Sequence, residues 1–285
     1  MLRSTLILTE RHETELVVVD GCSTDGTFNV VDSFVSENRS RYASVKILKD
    51  PGTSLSLARH IGFKNSKGDI VIFLDGDTPL TISFKHYIDK ELEGADLISP
   101  MFKCIPLDKA TKTFSEFIKV VSYIQLDASK HKGFSDPALL PPARIFKRAV
   151  LERMRGYPVS SRFFGEDRVA TALAIKYGFR YKFSPRLTLL KIDDPGYYLY
   201  WKKHFRYALG IHKDISPLGK NTLKSYIIPR RLSYINIIFP ILSLSYAWKA
   251  YLSTRNVKTS IGVMLIKHML DIAMLVGDLI GLLYA

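Results

Sequence analysis

The sequence predicts an α/β fold, a doubly wound and mostly parallel sheet over residues 1–225, with a C-terminal hydrophobic helical appendage over 226–285. Three observations carry that prediction. Short β-branched runs alternate with amphipathic helical patterns along the first segment. Two of those runs end on aspartates, and ligands gather at the carboxyl ends of parallel strands. Beyond about residue 225 the composition turns apolar, in "YIIPRRLSYINIIFPILSLSYAWKAYL" and "SIGVMLIKHMLDIAMLVGDLIGLLYA".

The elements follow in order. "ELVVVD", Glu15 to Asp20, reads as a buried strand. The turn "GCSTDGT" supplies Ser, Thr and Asp side chains to cap a helix over 28–37. "SVKILKD" is a second strand, and "SLSLARHIGFKNSKG" a helix closed by Gly68. "DIVIFLD" is the third strand, ending on Asp75.

The totals narrow the function. A chain of 285 residues that is 47% hydrophobic can bury a sizeable core. Its two cysteines, Cys22 and Cys104, are too few and too far apart for a disulfide framework or a zinc site. A net charge of +14 calls for an anionic partner. The basic residues cluster near apolar tracts, which favours membrane lipids or a phosphorylated small molecule, and no nucleic-acid partner is expected.

Asp75 and Asp77, one glycine apart after an apolar run, repel each other unless a cation sits between them. Oxygen ligands on adjacent short side chains suit a hard divalent ion, Mg2+ or Mn2+, that also bridges phosphates.

Three stretches, "VVVDGCSTDGT", "LARHIGFKNSKGDIVIFLDGDT" and "FFGEDRVATALAIKYGFR", resemble in order and spacing the motifs of family 2 glycosyltransferases of GT-A fold, a Rossmann-like architecture. The resemblance spans about residues 10–210. It implies transfer of a sugar from a nucleotide-sugar donor to an acceptor, with inversion. It further implies that Asp20 bonds the donor base and Arg59 lies against the base or its phosphates. Asp75 and Asp77 match the metal-binding acids, with Asp75 also near the donor ribose, and Asp167 matches the catalytic base. Arg206, in "YYLYWKKHFRYALG", is the candidate diphosphate contact. Glu166 reads equally well as a helix N-terminal acid, and Arg144 and Lys147 read as surface charges.

The chain departs from the family twice. Only a few residues separate Thr9 from Glu15, too few for a parallel crossover, so Ser4–Thr9 reads as the tail of a helix. The family's central first strand is then missing, and the chain is expected to be N-terminally truncated. A histidine that helps hold the metal in many relatives is also absent; Lys191, Ile192 and Asp193 stand there.

In the tail, residues 232–248 lack any charge but are short for a transmembrane helix. Residues 260–285 carry Lys267, Asp271 and Asp278, which at 100° per residue form one polar stripe roughly 40° wide. Gly277 and Gly281 permit close helix contact. Helices in the cytoplasmic interface, or a spanning transmembrane pair, are expected, at the cell membrane with the catalytic domain on the cytoplasmic side. The expected acceptor is then lipid-linked or another membrane-borne glycan. The rivals are a sugar-phosphate nucleotidyltransferase, for which a Gly-rich basic loop is lacking, and a degenerate donor-binding membrane scaffold.

Overall fold

The structure is a computed structural model that describes residues 1–52, 54–105, 113, 116–121, 141–159, 166–191, 201–202, 204–206, 208–209 and 234–283. The expectations for Ile192 and Asp193 lie outside those residues. Two compact units emerge: residues 1–101 with 142–162 and 166–190, and residues 102–141 with 163–165 and 191–285.

In the first unit, β1 (Glu15–Asp20) pairs in parallel with β2 (Ser44–Lys49), from Glu15 against Ser44 to Asp20 against Lys49. The connecting helix α2 (Thr27–Asn38) starts after Gly26, whose φ of +82° suits a residue without Cβ. Helix α3 (Leu55–Lys64) follows, with the Ser54 hydroxyl accepting a 3.2 Å bond from the Leu57 amide as N-cap. Strand β3 (Ile70–Ile72), helix α4 (Ser83–Glu93) and strand β4 (Leu97–Cys104) come next. After them lie β5 (Ile145–Lys147), α5 (Arg148–Arg153), α6 (Glu166–Lys176) and β6 (Tyr181–Lys191).

Strands β1 and β2 run parallel, β3 and β4 share one direction, and the short β5 runs against both. Strands run in the order β3-β5-β4-β6, and β5 pairs antiparallel with both β3 and β4. Ile145 and Phe146 of β5 are fully buried, as are Phe84, Leu97 and Ile98 around them. Burial of each such side chain stabilises the fold by about 1.5–3 kcal/mol, which holds so short a strand inside the sheet.

Residues Leu2–Thr9 form helix α1 rather than a strand. Among the described residues β1 pairs only with β2, and β3 pairs with β5. A cavity of about 1380 Å³ is lined by Val17–Asp20 of β1 and by residues 70–74, with Phe34, Ile88 and Leu92 also in its wall. It runs along the whole length of both strands, from Thr14 and Gly68 at their amino ends to Gly21 and Gly76 beyond their carboxyl ends.

The second unit contains α7 (Ile241–Thr254) and α8 (Val257–Leu283), which form a helical hairpin. Its core joins Ala250, Val263, Ile266 and Leu270 to Phe117 and Val120 of the helical residues 116–121. The polar stripe of α8 faces inward: Asp271 and Asp278 are buried. Asn236 donates to Asp271 and to Ser243, each at 2.7 Å, Lys267 pairs with Asp271, and Tyr234 bonds Asp278. A Cβ on Gly277 would lie 2.6 Å from that of Ala208 and 2.7 Å from the Phe205 carbonyl oxygen, so the close approach expected there is real.

The expectation of a transmembrane helix is corrected. Among the described residues no helix is long and apolar enough to cross a membrane. The physical reason is plain: α7 has 14 residues, too short for the roughly 20 a span needs, and α8 carries Lys267, Asp271 and Asp278 along its length.

Candidate active site

Strand β3 stops at Ile72, but its course stays fixed because the Phe73 amide donates 2.8 Å to the Arg144 carbonyl oxygen. That bond sets the start of "DGDT" beside the segment leading into β5. The turn is then closed by Thr78, which is buried. Its hydroxyl accepts from the Asp75 amide and donates to the Asp75 carbonyl oxygen, both at 2.9 Å. Asp75 and Asp77 are half-buried on this turn, and Oδ1 of Asp77 is shielded from solvent.

Asp75 meets two guanidinium groups. Arg59, from α3, donates 2.8 Å to Oδ1 of Asp75 through Nη2. Its Nη1 donates 2.7 Å to Glu166 and 3.1 Å to the Tyr157 hydroxyl. Arg144 lies 3.3 Å from Oδ1 and 3.1 Å from Oδ2 of Asp75, and its Nη2 also lies 3.4 Å from Oδ2 of Asp167. The carboxylates at the end of β3 and at the start of α6 therefore share one nitrogen. They can lie no farther apart than those two distances laid end to end.

The cluster sets two cations against the carboxylates of Asp75, Glu166 and Asp167. Burial alone would pull the Arg59 pKa down. The Tyr157 hydroxyl and the carboxylates of Asp75, Asp167 and Glu166 outweigh it, so the guanidinium sits above its ordinary range. Burial pushes the Tyr157 phenol above the usual tyrosine range, aided by Asp167 and Glu166 against the opposing arginines. Gly156 makes the corner possible: φ is +118°, and a Cβ there would lie 2.4 Å from the His60 ring, whose Nδ1 is 2.9 Å from the Tyr157 carbonyl oxygen.

Asp167 stands in the first turn of α6. Thr171 anchors that turn, donating 2.8 Å to the Asp167 carbonyl oxygen and accepting 2.9 Å from the Ala143 amide. Thr171 thus joins α6 to the segment that carries Arg144. Asp20, buried at the end of β1, accepts 3.1 Å from the Ser23 amide and lines the cavity.

Of the residues singled out by sequence, Arg59, Asp75 and Asp167 come together. Arg206 is exposed on a helical stretch of the second unit. One reading is corrected: Arg144 is buried inside the cluster instead of lying on the surface. Glu166 stands in the first turn of its helix, as read, and is also buried against Arg59. Lys147 remains partly exposed and pairs with Asp96 at 3.3 Å.

The donor set allows a partial fit to a divalent ion. Among the described residues no group of three or more His, Cys, Asp or Glu converges on one point. Asp75 and Asp77 offer hard oxygens, so the remaining ligands would have to be phosphate and water, as Mg2+ commonly accepts. Arg144 would also have to release part of its hold on Asp75.

Comparison with known proteins shows the family and the fold. The glycosyl transferase family 2 model matches residues 2–154. A probable glycosyltransferase, YdaM of Bacillus subtilis (strain 168), is 22% identical over 202 residues, covering 69% of this chain and 47% of that protein. The chain therefore spans about half the length of that relative. Among solved structures, the mannosyltransferase PcManGT of Pyrobaculum calidifontis with GDP-Man and Mn2+ is similar with a TM-score of 0.57 at 17% identity, covering 93% of this chain and 77% of that one. S. aureus TarS 1-349 in complex with UDP is similar with a TM-score of 0.51 at 16% identity, covering 94% and 85%. At these identities the likeness is one of fold.

Proposed function

The chain belongs to glycosyl transferase family 2, and we propose that it moves a sugar from a nucleotide diphosphate donor to an acceptor hydroxyl with inversion. One observation carries the proposal: Arg144 ties Asp75, on the turn after β3, to Asp167 at the start of α6. In this reading Asp75 is the donor-side and Asp167 the acceptor-side carboxylate, and the one guanidinium spans them.

In this reading Asp77 and Asp75 would hold Mg2+ or Mn2+. When bound, the ion stabilises negative charge on the departing phosphate. The protein does the rest. Asp20 accepts hydrogen bonds from the donor base beside the cavity, and Arg59 fixes the Asp75 side chain. Thr78 fixes the backbone of the same turn. Asp167 takes the proton of the acceptor hydroxyl as it attacks from the side opposite the leaving diphosphate, which inverts the anomeric centre. The donors named for the similar structures, UDP and GDP-Man complexes, make uridine and guanosine nucleotides the first to try. A membrane-borne, lipid-linked acceptor at the cytoplasmic face of the cell membrane suits the apolar and basic tail, and Arg206 remains a candidate contact for the diphosphate.

The test is transfer. Membranes holding the full chain are incubated with radiolabelled nucleotide sugars, Mn2+ and lipid extract. Label should move into a lipid-extractable product, and Asp77→Ala should abolish that. Transfer that survives Asp77→Ala removes the ion-holding role. Donor binding without any transfer would select the alternative of a donor-binding scaffold, which the double engagement of Asp75 by arginines favours.

A further inference from the structure

The α7–α8 hairpin is built inside out. A helix on a water-facing surface normally turns its polar stripe outward and buries its apolar one. On α8 the residues Ile261, Leu265, Met269, Ile272, Val276 and Leu279 are all exposed. At 100° per residue they fall in an arc roughly 80° wide. From 261 to 279 every exposed residue of α8 is apolar. Meanwhile Asp271, Asp278, Asn236 and Ser243 are buried in the bonded seam described above. On α7, Trp248 is 61% exposed, and Ile241, before it on the same face, is 70% exposed.

Charge identifies what covers this surface. In residues 234–280 the exposed charged side chains are Lys249, Arg255 and Lys258, all cationic and all at or near the corner between the helices. The acids of that stretch are both buried. An apolar face rimmed by cations alone complements anionic head groups over acyl chains. Length and charge fix the posture: α8 is long enough to span but carries Lys267, Asp271 and Asp278. α7 has 14 residues, about 21 Å at 1.5 Å per residue, against a hydrocarbon layer of about 30 Å. Trp248 and Tyr251, whose rings stack at 6.0 Å, are of the kind that settles at the head-group level.

We infer that the α7–α8 hairpin is an in-plane membrane anchor, its exposed apolar face seated in the outer part of a monolayer rich in anionic lipid. Docking needs no nucleotide and no catalysis, so this inference goes beyond the transfer reaction and stands apart from it.

Flotation of the full chain with vesicles, without any nucleotide sugar, tests the inference. The chain should float with phosphatidylcholine–phosphatidylglycerol vesicles and much less with phosphatidylcholine alone, and added salt should weaken the binding. L265S/I272S/V276S changes only exposed positions and should cut vesicle affinity at least about tenfold with an unchanged circular dichroism spectrum. K249Q/R255Q/K258Q should lose about 10²-fold for the anionic vesicles, and it keeps the test open if the serine variant misfolds. No flotation with either vesicle would overturn the inference, as would unchanged flotation of both variants. So would a dimer that L265S/I272S/V276S dissolves, because a second copy would then be what covers the face.

Discussion

Arg144 grips both carboxylate oxygens of Asp75, with Nη1 3.3 Å from Oδ1 and Nη2 3.1 Å from Oδ2. This two-point contact is the geometry in which arginine and carboxylate bind most firmly. It engages both oxygens of Asp75 while the same nitrogen reaches Asp167. Arg144→Met leaves two carboxylates without that cation. Removing one partner of a fully buried pair costs about 3–5 kcal/mol. The Asp75 side chain is 25% exposed, so about 2 kcal/mol is expected here. Urea melts should show that loss, and transfer should fall with it.

Asp167→Asn keeps the shape of the side chain but removes its capacity to take a proton. It should lower kcat by about 10²–10⁴-fold. The KM for the donor should hardly change, because the role proposed for Asp167 is on the acceptor. Steady-state kinetics with donor and acceptor varied separately make this split visible. An equal loss in donor affinity would move Asp167 to the donor side.

Stability should fall at high pH. Burial holds the Tyr157 and Tyr181 phenols above the ordinary tyrosine value of 10.0. The folded chain therefore keeps these protons to higher pH than the unfolded chain. Their contribution is complete below pH 10 and is lost as the pH rises beyond it. Urea midpoints at neutral pH and at about pH 11 should differ, and Tyr181→Phe should reduce the difference. At the acid end, hydrogen bonds from Arg180 hold Asp96 well below the usual carboxylate range. That stabilisation is present above the ordinary value of 3.8 and disappears as the pH falls through the lowered value.

Strands β1 and β2 should open before the other sheet. Val17, Val18 and Val19 border the cavity, whereas Leu97, Ile98, Ile145 and Phe146 are fully buried. Few apolar contacts on one side mean a lower local opening free energy. Hydrogen exchange should find the amides of β1 exchanging faster than those of β4 and β5. Equal protection across both sheets would show that the cavity does not weaken β1.

Part of the cluster was legible because it sits in short local patterns. Asp75 stands where an apolar run breaks, Arg59 lies on the amphipathic helix before it, and Asp167 opens a helix marked by "GEDR". Arg144 was not legible. Nothing in "PPARIFK" separates a surface arginine from one buried against a carboxylate 69 positions earlier. The antiparallel strand was hidden for the same reason: β5 is three residues long, and only its pairing with β3 and β4 makes it a strand. In the tail the stripe of Lys267, Asp271 and Asp278 could be read from its period. Its inward direction could not, because that depends on Asn236 and Tyr234 reaching across to meet it.

The central claim is that Asp75 and Asp77 take up a divalent ion jointly with a nucleotide diphosphate. Calorimetric titration of the full chain with UDP and with GDP, in the presence and absence of Mn2+, tests it most directly. The account predicts that Mn2+ tightens one of these nucleotides at least about tenfold, and that Asp77→Asn abolishes the gain. Binding that ignores the ion, or a gain that persists in Asp77→Asn, would contradict it.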